Sequence, residues 1–174
     1  LLESALLGTG IIKGPFNFGK TVHKWEKDES GAKTYTPYPK LVPRLEAVSC
    51  WDVYSDPSAT NVDDCEYIIQ RHKMNRSQLR NLMNMPMFDP EAIREVIAGG
   101  GNYEEKYFED TIRDDETQPY VDSERYEVLE YWGTIDSTFA KQIGLEEAAD
   151  MDDLDEVQVN IWISGGQILR ACIN

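Results

Sequence analysis

The chain has 174 residues, 41% of them hydrophobic, which suits one compact domain, or one with a smaller lobe, and argues against disorder throughout. Its 17 Lys and Arg against 32 Asp and Glu leave a formal charge of −15, which repels phosphate backbones and anionic lipid. Cys50, Cys65 and Cys172 are odd in number and form no CxxC pair, so neither a disulfide framework nor a thiolate zinc site is signalled, and a reducing compartment is expected.

Leu1 to Leu7 reads as the tail of a helix closed by Gly8. Ile11 and Ile12 start a strand and Val22 to Trp25 start another, with the glycine-rich stretch between them as the connection of a first β-hairpin. Glu26 to Gly31 is a charged loop, and Tyr35, Pro37, Pro39 and Pro43 keep the next segment extended, without a full set of amide donors. Val48 to Tyr54 has strand composition, and Ser55-Asp56-Pro57-Ser58 is turn chemistry. Glu66 to His72 is another strand. Asn75 with Gln78 three positions on fits a capping box ahead of a short helix through Leu79 and Leu82.

Asp89-Pro90-Glu91 signals a second helix start, with Ile93, Val96 and Ile97 as its apolar face and Gly99 to Gly101 as its end. From Tyr103 to Glu124 the chain is acidic and irregular, with Tyr107, Phe108 and Ile112 able to anchor one helical turn. Arg125 to Trp132 is the clearest strand, Tyr126, Val128 and Trp132 alternating with Arg125, Glu127 and Tyr131. Ser137 to Ala149 predicts a short helix and Asp150 to Glu156 a solvated acidic loop. The last element is a hairpin, Val157 to Ile163 turning through Ser164-Gly165-Gly166-Gln167 into Ile168 to Ile173. The pattern predicts an α+β fold of antiparallel β-hairpins and a small mixed sheet with several short helices. Residues 1–174 are expected to form one domain, with acidic irregular segments near 110–124 and 146–156.

No apolar run approaches the roughly 18 residues of a spanning helix, and the N-terminus lacks the marks of a signal peptide, so a soluble, non-secreted protein with no membrane partner is expected. The chain opens inside an apolar helix-like run and stops just after a strand-like one, so both ends are expected to be cut from something longer.

Gly14-Pro15-Phe16-Asn17-Phe18-Gly19-Lys20-Thr21 matches the G-x-x-x-x-G-K-[ST] spelling of a phosphate loop. Such a loop needs a helix after it, so that consecutive amides point at the phosphates. Here Val22 to Trp25 alternate like a strand instead, and Pro15 has no amide to donate. Gly14, Gly19, Lys20 and Thr21 therefore read as a glycine-rich hairpin with Lys20 exposed, and no cofactor is expected. Gly8 to Gly14 lies out of step with a dinucleotide fingerprint and ahead of a strand instead of after one. Asp114-Asp115-Glu116 and Asp152-Asp153 with Asp155 lack the spacing of a calcium loop and read as solvated surface, so no metal is expected. His23 and His72 sit far apart in sequence, which leaves catalysis without a candidate. Arg71 to Arg80 stands out as the only local basic stretch, and Arg71, His72, Lys73, Arg76 and Arg80 are the expected subunit interface.

Several segments, in order, resemble the portal (head-to-tail connector) proteins of short-tailed bacteriophages. They are Leu6 to Lys13, a helix running into a G-T-G strand; Val48 to Ala59, a strand ending in D-P-x-A; the strand-to-helix step Tyr67 to Leu79; Glu127 to Trp132; and the Ile161 to Leu169 hairpin. The resemblance implies a non-enzymatic subunit of a dodecameric ring at one capsid vertex, this segment lying mainly in the wing region. Its implied partners are identical subunits, the terminase, capsid and tail or adaptor proteins, and DNA that passes through without specific binding. The implied location is the virion's portal vertex, with host cytoplasm during assembly. Two alternatives stand beside it: a phosphate-loop nucleotide-binding enzyme, and a generic acidic protein-interaction module.

Overall fold

The computed structural model describes residues 2–27, 31, 33–104, 125–145, 148, 151, 152 and 155–173. The fold is α+β, with antiparallel sheets and a few short helices, and the chain divides into two compact units, Leu1–Trp51 and Asp52–Asn174.

The first unit has a short helix α1 (Leu2–Leu7) and two long antiparallel strands, β1 (Ile11–Lys27) and β2 (Lys33–Val48). Sequence placed a hairpin connection at the Gly14 to Gly19 stretch, but β1 runs straight through it for 17 residues, roughly 55 Å of ribbon. Gly14 marks a bulge instead of a turn, and Gly19 pairs in regular register with Leu41. The register shifts between Lys13 and Phe16, where Gly14 takes φ +125° and a Cβ would stand 2.8 Å from the Arg44 carbonyl oxygen. Pro37, Pro39 and Pro43 all occupy odd positions of β2, opposite His23, Thr21 and Asn17. Amides alternate inward and outward along a strand, so all three prolines share the outward phase and the ladder loses no bond. That edge of the ribbon is closed to further strands.

The second unit is a five-stranded antiparallel meander: β3 (Val53–Ser55), β4 (Tyr67–Asn75), β5 (Arg125–Asp136), β6 (Glu156–Ser164) and β7 (Gln167–Ile173), in that spatial order. Among the described residues every pairing is antiparallel, so the mixed part of the expected sheet is not found: each strand pairs with the next in sequence and runs against it, whatever lies in the connection. Helices α2 (Arg76–Leu82) and α3 (Pro90–Gly99) cover one face. The Asn75–Gln78 capping box is complete, and Asp89 caps α3 by accepting from the Glu91 amide, with Pro90 in the first turn. Leu79, Leu82, Ile93 and Val96 pack there on Tyr126, Val128 and Leu169.

The other face is covered by α4 (Ser137–Gln142) and the chain after it, where Ala140, Leu145 and Ala148 meet Val157, Val159 and Ile161. The closing turn has φ +55° at Gly165 and +80° at Gly166, which only glycine adopts readily at both positions of a two-residue hairpin loop. A bulge after it, where Ile163 faces Ile168 but Trp162 faces Arg170, inserts Leu169 as an extra residue. Leu169 thereby reaches the α2–α3 core while Ile168 and Ala171 keep to the opposite face.

Two expected elements are shorter than sequence suggested. Val48 to Tyr54 is divided between the end of β2, a 3-10 turn at Cys50–Asp52, and the three residues of β3. The helix from Ser137 ends at Gln142, because Gly144 takes φ +81°. The turn at Tyr107, Phe108 and Ile112, the 110–124 segment and residues 146, 147, 149, 150, 153 and 154 lie outside the described residues. Among the described residues, no helix is long and apolar enough to cross a membrane.

The Asp56 turn forms as its chemistry demands: the carboxylate accepts from the Ser58 hydroxyl at 2.6 Å and the Ser58 amide at 2.8 Å. These bonds, the hydroxyl first, hold the Asp56 carboxyl below the usual aspartate range. Its contribution is therefore fully present above about pH 4 and is lost as pH falls through the lowered folded value. Asp56→Asn is expected to narrow its thermal-stability gap to the parent chain progressively below pH 4, with the full gap at pH 6 to 7; a gap that does not change with pH would remove the carboxylate's role.

Candidate functional site

The residues that spell a phosphate loop lie within one strand. Gly19 and Lys20 pair with Leu41 and Lys40, and Thr21 with Pro39, so their amides follow the strand's alternation instead of converging. Lys20 is exposed and extended chain continues to Lys27. No helix begins at Lys20 or Thr21, and the amide cradle of a phosphate site is absent from this segment.

The basic stretch is separated by the strand's own alternation. Arg71 and Lys73 project to one face of the sheet and His72 to the other, while Arg76 and Arg80 stand exposed on α2. Arg71 is only 5% exposed. Its Nε and Nη2 donate to Glu127 at 3.0 and 2.8 Å, and its guanidinium lies 4.3 Å from the ring centre of Tyr103, which Lys73 approaches at 4.1 Å. Tyr103 itself is 1% exposed, its backbone held by the Arg125 carbonyl. The acid that Arg71 meets is thus within its own chain. Lys73, Arg76 and Arg80 are the exposed cations of the five.

His72 belongs to a constellation that sequence did not assemble. Strand pairing sets His72 beside Val128, Gln70 beside Glu130, Glu130 beside Trp162, and Trp132 beside Asn160, all on the α2–α3 face. Glu130, with its side chain 3% exposed, is the centre: His72 Nε2 lies 2.8 Å from Oε2, Trp132 Nε1 donates to Oε1 at 2.7 Å, and Asn160 Nδ2 donates to the same oxygen at 3.4 Å. Trp162 Nε1 donates to Asn160 Oδ1 at 3.0 Å, and the indole stacks on the His72 ring at 4.9 Å between centroids. Phe88 meets Trp162 edge-on at 5.4 Å, and Arg170 lies over Phe88 at 5.4 Å.

Both indole N–H groups and the Asn160 amide find acceptors here, so the network is satisfied where it is driest. Its chemistry is orientation: a buried carboxylate fixes the rotamers of two tryptophans, a histidine and an amide on three adjacent strands. The signal for Glu130 was present as the inward phase Tyr126, Val128, Glu130, Trp132, in which a carboxylate occupies a core position. Asn160 carried the same signal at an even position of β6.

Among the described residues, no group of three or more His, Cys, Asp or Glu could hold a metal ion. None of the three cysteines forms a disulfide, and of the three Cys172 is the buried one. The Ser137 hydroxyl donates to the Asp152 carbonyl at 2.6 Å and Lys141 donates to the Met151 carbonyl at 2.7 Å, tying the described part of the acidic loop to α4. No protein-family model matches the chain, and no curated protein matches it either.

Proposed function

We propose that the chain is the wing-region part of a tailed-phage portal subunit. In this reading it helps form the ring through which DNA is packaged and ejected and onto which terminase and tail dock, at the portal vertex of the virion. The observation that carries this is spatial. Four of the five segments that resemble portal proteins, scattered in sequence between Val48 and Leu169, converge on one sheet as β3 with its Asp56 turn, β4 running into α2, β5, and the β6–β7 hairpin. The balance of ten Lys and Arg against 27 Asp and Glu in residues 52–174 suits a conduit wall past which DNA slides without being held.

Negative-stain electron microscopy of the assembly that contains this chain tests the reading: a ring with an axial channel supports it, and a closed two-fold dimer or an isolated monomer removes it. The reading also makes the chain a non-enzyme that leaves ATP to its terminase partner. Calorimetry with magnesium-ATP is expected to give no binding heat, with Lys20→Ala indistinguishable from the parent; micromolar binding lost in that variant would restore the nucleotide-binding alternative.

A further inference from the structure

The β1–β2 ribbon has two unlike faces. Register puts Asn17, Gly19, Thr21, His23 and Trp25 on the same side as Tyr35, Pro37, Pro39, Leu41 and Pro43. None of these ten carries a formal charge and all ten are exposed, Trp25 at 64% and Leu41 at 68%; the same side ends in the Lys27–Lys33 pair. His23 stacks on Tyr35 and is joined to its hydroxyl, and Trp25 packs against the same ring, so the face is ordered by its own aromatics. The opposite side carries Lys20, Lys24, Lys40 and Arg44, with Glu26, Phe16, Val22, Tyr38 and Val42 among them.

We propose that the uncharged face of this ribbon docks on the acidic unit, residues 52–174, of a second copy of this chain. A two-stranded ribbon has no second layer and is marginal in water by itself. An uncharged aromatic and proline face roughly 30 Å long is large enough to form one side of a standard protein interface. The partner is indicated by charge. Across Leu1–Trp51 seven Lys and Arg face five Asp and Glu, a formal +2, whereas 52–174 carries ten against 27, a formal −17. The cations concentrate on the ribbon strands: Lys13, Lys20, Lys24, Lys27, Lys33, Lys40 and Arg44 against Glu26 and Glu46. Sequence had named Arg71 to Arg80 as the only basic stretch, but strand pairing gathers this second one from segments that are dilute along the chain.

Apolar contact through one face, with Lys27 and Lys33 at its end, suits an acidic protein surface. A nucleic acid would be met by the opposite, cationic face and would leave the aromatic one in water. Ribbon-to-body contact is heterologous, so it repeats head to tail and closes into a ring when the rotation allows. The inference specifies a lateral contact of the portal reading and rests on that reading for ring closure only.

The test mixes nitrogen-14 and nitrogen-15 chains, couples amines to carboxylates with a water-soluble carbodiimide, and identifies the joined peptides by mass spectrometry. Heavy–light links from Lys27 or Lys33 to acids within 52–174 are expected. Sedimentation should show self-association that weakens several-fold between about 50 and about 500 mM salt and is lost in Trp25→Glu and, separately, in Leu41→Glu, both of which alter exposed side chains. Links only within one isotope, a monomer at every concentration, or association unchanged in both variants would overturn the proposal, as would duplex DNA binding that those variants abolish. Ribbon-to-body links in a two-fold or open assembly would keep the contact and remove the ring; a ring without such links would do the reverse.

Discussion

Glu130→Ala is expected to destabilise the sheet unit by about 3 kcal/mol, because it removes the acceptor for three groups at a site with almost no access to water. Trp132 Nε1, Asn160 Nδ2 and His72 Nε2 all meet this one carboxylate. Glu130→Gln keeps the length of the side chain and one oxygen. It can still accept from Trp132 and Asn160 while turning its amide toward His72, so the expected loss is about 1 kcal/mol. Urea denaturation of the two variants reads the difference. Equal losses would mean that the negative charge facing His72 matters more than the acceptor, and a neutral Glu130→Ala would mean that the network contributes nothing to stability.

Where one physical rule decides an element, sequence reading found it. Asn75 and Gln78, Asp89 and Pro90, and the Gly165-Gly166 turn each act within four residues, and all three form as expected. The alternation of β6 and β7 was legible for the same reason. What was not legible depends on partners distant along the chain. Gly14 to Gly19 has the composition of a connection, and only pairing with Phe16 through Lys27 against Lys33 through Arg44 makes it the middle of a strand. The Arg71 to Arg80 stretch looks like one patch in a list of residues, yet a two-residue period sends Arg71 and His72 to opposite faces. The Glu130 network needs three strands at once, and its members are separated by 30 residues or more apart from the Trp132 and Trp162 bonds. Binary patterning places a side chain on a face; register decides whom it meets there.

Gly133→Ala is expected to cost about 2 to 3 kcal/mol, a large effect for one methyl group in a strand. Gly133 pairs with Tyr67, the first residue of β4, and the Glu66 carbonyl turns in just there to accept from the Thr134 amide at 3.1 Å. A Cβ at this position would stand 2.6 Å from that carbonyl oxygen, 2.7 Å from Tyr67 Cβ and 2.8 Å from the Tyr131 hydroxyl. The first two are fixed by the backbone, so relief means opening the β4–β5 pairing at this end. The third could swing aside, but the Tyr131 hydroxyl donates to the Thr134 carbonyl at 2.9 Å and its ring stacks on Tyr67; burial first, then Tyr67 and Glu66, pushes that phenol above its usual range. Removing the hydroxyl in Gly133→Ala/Tyr131→Phe should therefore recover only a minor part of the loss. Gly19→Ala supplies the contrast, because a Cβ there meets nothing within 4 Å, and its stability is expected to stay within about 0.5 kcal/mol of the parent. Thermal or urea denaturation of the three variants decides the matter: full recovery in the double variant would put the clash on the tyrosine alone, and a Gly133→Ala chain as stable as Gly19→Ala would show that β4 and β5 do not approach this closely.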